Sequence, residues 1–383
     1  MNIEVRLIDN SKGKGIFATS YIPQGSILFE EEPLVACQFS WNATCKYEAC
    51  DHCLRPLETA QNNVRRLTGI SSLELPYPEC CETKKEDITF CNLCAVKYCS
   101  ELCRVQAFNQ YHKVLCIQTS YRNNVHPLEQ LEDAWKKIHY PPETSSIFLI
   151  VRLLAQTLQS SNKEHFTAQI LNFCHRSVNE DAALAHKFLG EKFIGQVDSL
   201  RELLRNAIPN ENIEHFLTPE GFQSLLALIG TNGQGVGTSP FSVWRDNVYK
   251  LNLSTQDKEN IDNFIEKIYD DMFSHTGDFL NSEGVGLYKL QSCANHSCEP
   301  NAEIQFLHNN SKLSLIALKD IEPDEEICIS YLDECNIERS RHSRRKTLME
   351  NYLFACECPK CLSQIEDPDV TSEEEMSECE IED

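Results

Sequence analysis

Asn295-His296-Ser297-Cys298-Glu299-Pro300-Asn301 is a polar turn, and Glu325-Glu326-Ile327-Cys328-Ile329-Ser330-Tyr331 is a short run ending in tyrosine. Alternating isoleucines in the second segment predict a half-buried strand. The Asn and His side chains of the first need hydrogen-bond partners if they are buried. A third segment, Cys356-x-Cys358-x2-Cys361, offers three thiolates, which cannot close a tetrahedral metal site. Cys298 is the candidate fourth ligand. A metal ion there would fasten the C-terminal segment onto the 295–301 turn.

Working outward, residues 50–116 hold four more ligand pairs: Cys50/Cys53, Cys91/Cys94, Cys99/Cys103 and His112/Cys116. Seven cysteines and one histidine suffice for two tetrahedral sites with every position filled by protein, so these ions would be structural. The CxxC pairs predict tight turns. The Cys99/Cys103 and His112/Cys116 spacings predict ligands on one face of a helix. The chain has 20 cysteines among 383 residues, which is below the density of a disulfide scaffold. With no basic and apolar leader at the N-terminus, the cysteines are expected as reduced thiols holding metal.

The rest of the chain is β-rich over 1–49, mostly helical over 127–230 with a further amphipathic run at 257–273, and β-rich again from Leu287 to Tyr331. Gly230–Gly237 reads as a flexible glycine-rich loop, and it is not a phosphate-binding loop because Val236 stands where lysine would be required. Arg339, Arg341, Arg344, Arg345 and Lys346 read as a solvated basic helix face or a nuclear import signal. Residues 363–383 carry ten acidic side chains and no Lys or Arg, and they read as a disordered tail. The net charge of −23 argues against phosphate-backbone binding and favours basic partners. No apolar run reaches the ~18 residues of a membrane span.

The segments 295–301, 325–331 and 356–361, together with Lys12-Gly-Lys-Gly-Ile-Phe-Ala18 and Ile22-Pro-Gln-Gly25, resemble the SET domain of protein-lysine methyltransferases. The 50–116 cluster resembles a MYND zinc finger. A SET domain split by a MYND finger is the mark of the SET and MYND family. The resemblance implies an α+β chain in six parts. These are an N-terminal SET part (1–49), the finger with a long insert (50–116), a helical insert (117–280), the catalytic core (281–335), a post-SET zinc motif (336–362) and the tail (363–383).

It further implies S-adenosylmethionine as cofactor and three structural zinc ions. Cys50, Cys53, Cys99 and Cys103 would hold one ion, and Cys91, Cys94, His112 and Cys116 the second. Cys298, Cys356, Cys358 and Cys361 would hold the third. The 37 residues between Cys53 and Cys91 depart from the usual finger, and Cys80 or Cys81 within them could replace a ligand. Lys12, Lys14, Asn232, Asn295, His296, Tyr331, Tyr352 and Phe354 would surround the cofactor, with Tyr331 as the catalytic residue. The implied activity is methylation of lysine in a basic protein, a histone tail or ribosomal protein. The alternative is an interaction scaffold with an inactive SET domain. The finger would take a proline-containing peptide. A monomer in the cytoplasm or nucleus, binding neither nucleic acid nor membrane, completes the expectation.

Overall fold

A computed structural model describes residues 2–9, 12–117, 125–138, 146–174, 195–277 and 282–368. The acidic tail beyond 368 lies outside the described residues. Strands β1 (Ile3–Asp9) and β2 (Gly13–Ala18) form a hairpin. β3 (Ile27–Glu31) and β4 (Val35–Gln38) follow before the first cysteine pair. In the finger, β5 (Thr89–Phe90) pairs with β6 (Lys97–Tyr98). Further along the chain come β7 (Gln234–Thr238), β8 (Ser282–Leu287), β9 (Asn295–His296), β10 (Ala302–Gln305), β11 (Leu313–Ala317) and β12 (Glu326–Ile329).

Three sheets interleave the two ends of the chain, in the orders β1-β2-β12-β9, β10-β11-β3 and β4-β8-β7. N-terminal and C-terminal strands share one core, in which Ile16, Leu313, Leu315, Ile321 and Ile327 are wholly buried. Each such side chain contributes about 1.5–3 kcal/mol. This is why the two halves fold as one unit around what is inserted between them. The glycine-rich run is not a loop. It completes the helix Pro219–Asn232 and becomes β7, antiparallel to β8.

The helical block packs chiefly on Ile147–Gln159, whose Leu149, Ile150, Leu153 and Leu154 are fully buried. Arg152 on this helix is also buried. It pairs with Asp51, donates to the carbonyls of Ala36 (2.6 Å) and Asp51 (2.5 Å), and lies over the Tyr111 ring. One guanidinium therefore ties the first CxxC turn to both the β core and the helical block. Much of the 54–90 insert packs outside the finger, although Leu57 lies in the finger's core and β5 at the insert's end pairs within it. The insert's helix Ala60–Thr68 packs Val64 and Leu67 against Trp244, Ile265 and Ile268 of the helices Pro240–Val248 and Thr255–Thr276. Among the described residues no helix is long and apolar enough to cross a membrane.

Candidate active site

The 295–301 turn and the 325–331 strand meet through a parallel pairing, β9 beside β12, with Asn295 opposite Cys328 and His296 opposite Ile329. Asn301, 4% exposed, knits the two together. Its amide donates to Glu325 Oε1 and the Glu326 carbonyl (both 2.9 Å), and its Oδ1 accepts from Cys328 N–H (2.8 Å). A buried amide with both ends used is fully satisfied and rigid. The strand then delivers Tyr331 beside His296, with ring centroids 5.5 Å apart.

Tyr352 and Phe354 close the other side, 4.8 and 6.3 Å from the Tyr331 ring. The helix Arg341–Tyr352 ends at Leu353 in a left-handed conformation (φ 60°). That turn separates the two aromatics and carries the chain into the last cysteine cluster.

Lys12, Gly13, Lys14, Asn232, Asn295, His296, Tyr331, Tyr352 and Phe354 all line one cavity of about 1220 Å3. Gly13 takes φ +75°, which a side chain would strain. Lys14 contributes its carbonyl, which accepts from Asn295 Nδ2 (2.9 Å). The same Nδ2 donates to Glu326 Oε1 (2.8 Å), and Glu326 Oε2 holds Lys12 Nζ at 2.6 Å. Glu326, which nothing in the local sequence marks as a site residue, is thus the hub of this wall. Asn232 is 8% exposed and donates to the carbonyls of Cys174 (2.7 Å) and Leu228 (2.9 Å).

Tyr331 Oη donates to the Ala294 carbonyl at 2.8 Å. Burial pushes its pKa well above the ordinary value, with Tyr352 adding to the effect, so it remains a phenol. With its proton committed to Ala294, the oxygen offers lone pairs to an N–H donor in the cavity. Four carboxylates (Asp9, Glu326, Asp333 and Glu357) against two lysines line the space, which favours cationic occupants.

The metal-type clusters assemble as three groups, each with its ligand atoms within 4.8 Å of one another: Cys50, Cys53, Cys99 and Cys103; Cys91, Cys94, His112 and Cys116; Cys298, Cys356, Cys358 and Cys361. Neighbouring sulfurs lie 3.6–4.0 Å apart, far beyond a disulfide bond. Zn–S bonds of about 2.3 Å in a tetrahedron require edges of about 3.8 Å, so the donor sets fit zinc. No open coordination position remains for substrate.

The CxxC turns are each followed by a left-handed residue, Leu54 and Ala95. The predicted helical pairs differ from expectation. Cys99 precedes the N-cap Ser100, whose hydroxyl accepts from Cys103 N–H, and Cys116 follows the last helical turn with extended backbone. The pairs straddle helix ends, where loop backbone is free to aim a thiolate. Cys80 and Cys81 lie outside all three groups, and Cys80 is packed in the core that the insert shares with the helices Pro240–Val248 and Thr255–Thr276. Arg344 is not a solvated cation. It is 1% exposed, with Nε 3.3 Å from Cys298 Sγ and another nitrogen 3.6 Å from Cys361 Sγ.

The geometry can also be tested for a nucleoside-bearing sulfonium. Thr231 and Gln291 line the cavity, and their buried Oγ1 and Oε1 atoms have no hydrogen-bond partner among the described residues. Buried polar atoms of this kind call for a ligand or water. With the acidic wall and the aromatic pair they fit S-adenosylmethionine, whose polar ends and positive sulfur match them.

Comparison with known proteins gives the same fold. The SET domain profile matches residues 13–332. "Protein-lysine N-trimethyltransferase SMYD5" of Homo sapiens is 52% identical over 98% of this chain and 90% of its own length. The Danio rerio protein of that name is 51% identical over 97% of this chain and 90% of its own. "Histone-lysine N-methyltransferase SMYD3" of Homo sapiens is 41% identical over 25% of this chain and 22% of its own length.

Proposed function

Since the chain belongs to the SET and MYND family of SET-domain proteins, we infer that it is an S-adenosylmethionine-dependent protein-lysine N-methyltransferase. The observation that carries this reading is the shared cavity, in which the Asn295–His296 wall and the Tyr331 hydroxyl face one space. The cofactor supplies an electrophilic methyl group on a sulfonium. Asn295, oriented by Glu326, would hold the cofactor together with Asn232 and the Lys12–Lys14 backbone. A lysine desolvated between Tyr331, Tyr352 and Phe354, beside the positive charge that the cofactor would bring, would have its pKa lowered from the ordinary ~10.4 and give up the neutral amine. Tyr331 Oη accepts an N–H of that amine and aims its lone pair. The enzyme's contribution is alignment.

The substrate is a basic segment of a histone or ribosomal protein, in keeping with the acidic chain and the acidic cavity wall. The finger takes a proline-containing peptide at its exposed apolar face, Leu102 and Val105. The protein acts as a monomer in the cytoplasm or nucleus. Transfer of tritiated methyl from S-adenosylmethionine to core histones and to ribosomal proteins, followed by amino-acid analysis, tests the reading. Methyl-lysine from either class supports it. No transfer to any protein of a cell extract would leave the scaffold reading.

A further inference from the structure

His296 does more than supply backbone to the cavity wall. Its side chain is 7% exposed and both ring nitrogens are engaged. Nδ1 lies 2.9 Å from the backbone nitrogen of Tyr331. Nε2 lies 3.3 Å from Cys298 Sγ. A backbone N–H can only donate, so Nδ1 must be an unprotonated acceptor. The proton of the neutral ring then sits on Nε2, aimed at the sulfur. Cys298 belongs to the third metal-type group, and its sulfur also faces Arg344 Nε.

We propose that the His296 side chain is a positioning residue that couples the post-SET zinc centre to Tyr331. A zinc-bound thiolate accepts the Nε2–H bond, which fixes the ring tautomer and orientation. The ring in turn fixes the Tyr331 backbone through Nδ1. The chemistry is the familiar outer-shell link between a metal ligand and its hydrogen-bond partner, worth 10- to 100-fold in metal affinity or activity when broken. Here that link ends on the residue that faces the substrate amine. The third zinc is therefore a support for the reacting centre as well as a staple for the C-terminal segment. The only part of this that rests on the methyltransferase reading is the role given to Tyr331.

The test is made on the full, zinc-loaded chain with 15N-histidine and 15N-tyrosine labels. Long-range 1H–15N spectra, assigned with His296→Asn, report which ring nitrogen carries the proton. Nε2–H is expected, and a proton on Nδ1 overturns the proposal whether or not any variant folds. In His296→Asn the side-chain oxygen replaces Nδ1 as acceptor, but the ring donor to Cys298 is lost and only Arg344 Nε remains. One zinc equivalent should then pass to a colorimetric chelator about tenfold faster than in the parent, with the other two unchanged. Release at the parental rate overturns it. When that one equivalent is removed from the parent protein, the Tyr331 amide resonance, assigned with Tyr331→Phe, should shift most among the tyrosines. An unmoved resonance overturns the coupling. None of these readouts needs turnover, so they fail separately from the assigned activity.

Discussion

Replacing Tyr331 by phenylalanine removes one oxygen from a cavity whose other walls stay in place. Two costs can be separated. The first is structural: the Ala294 carbonyl loses its 2.8 Å donor. A buried acceptor left without a partner costs about 1–3 kcal/mol. In a chain of 383 residues that lowers Tm by a few degrees at most. The Phe ring keeps the contacts with His296, Tyr352 and Phe354, so the aromatic wall persists. The second cost is kinetic. The amine loses the acceptor that holds its N–H, and misplacement by about 1 Å can cost 10²-fold in rate. That corresponds to about 2.7 kcal/mol of barrier. The expected result is a folded protein whose kcat for methyl transfer falls at least about 100-fold, while cofactor affinity changes only a few-fold. Differential scanning fluorimetry, calorimetry and radiolabel transfer measure the three quantities. Parental turnover in Tyr331→Phe would remove the hydroxyl from the mechanism, and an unfolded variant would show that the phenol is structural.

Other outcomes follow from particular contacts. Arg152→Met strands the Asp51 carboxylate and two carbonyls in the interior, a loss of about 3–5 kcal/mol that chemical denaturation would register. A loss below 1 kcal/mol would mean that the guanidinium is not the tie between finger and core. Burial, with Glu326 adding to it, pushes the Cys328 thiol up to about 12. Raised above its unfolded value near 9, this group favours the fold below about pH 9, and that contribution is lost as pH rises toward 12. Iodoacetamide mapping at pH 8.5 should accordingly find Cys328 labelled at least about 100-fold more slowly than exposed Cys174, and equal labelling would contradict the burial. Elemental analysis should give three zinc ions for Cys81→Ser and two for Cys50→Ser, since only Cys50 stands in a ligand group. Loss of an ion in Cys81→Ser would return the insert to the finger.

Local spacing made much of this molecule legible. CxxC pairs, the 295–301 turn and the strand before Tyr331 carry their chemistry within a few residues, and the parallel β9–β12 pairing brings together what the family resemblance had joined on paper. What the sequence hid is long-range. Nothing within 54–90 says that Val64 and Leu67 will pack on Trp244, because an amphipathic helix does not name its partner. Arg344 reads as one of five exposed cations, and only the folded chain shows it buried against two thiolates. Gly230–Gly237 reads as a loop because glycine weakens a strand, yet pairing of Gln234–Thr238 with β8 across five positions overrides that preference. Glu326 was visible only as one of two acidic residues at a strand start. Its role depends on Lys12 and Asn295, from opposite ends of the chain.

The claim on which the account turns is that the cavity bounded by Asn295, His296 and Tyr331 holds the methyl donor. Calorimetric titration of S-adenosylmethionine into the zinc-loaded protein and into Asn295→Ala addresses it directly. One binding event per chain is expected, weakened about tenfold or more when the amide is removed. No heat of binding to the parent protein, or equal affinity in the two, would contradict it.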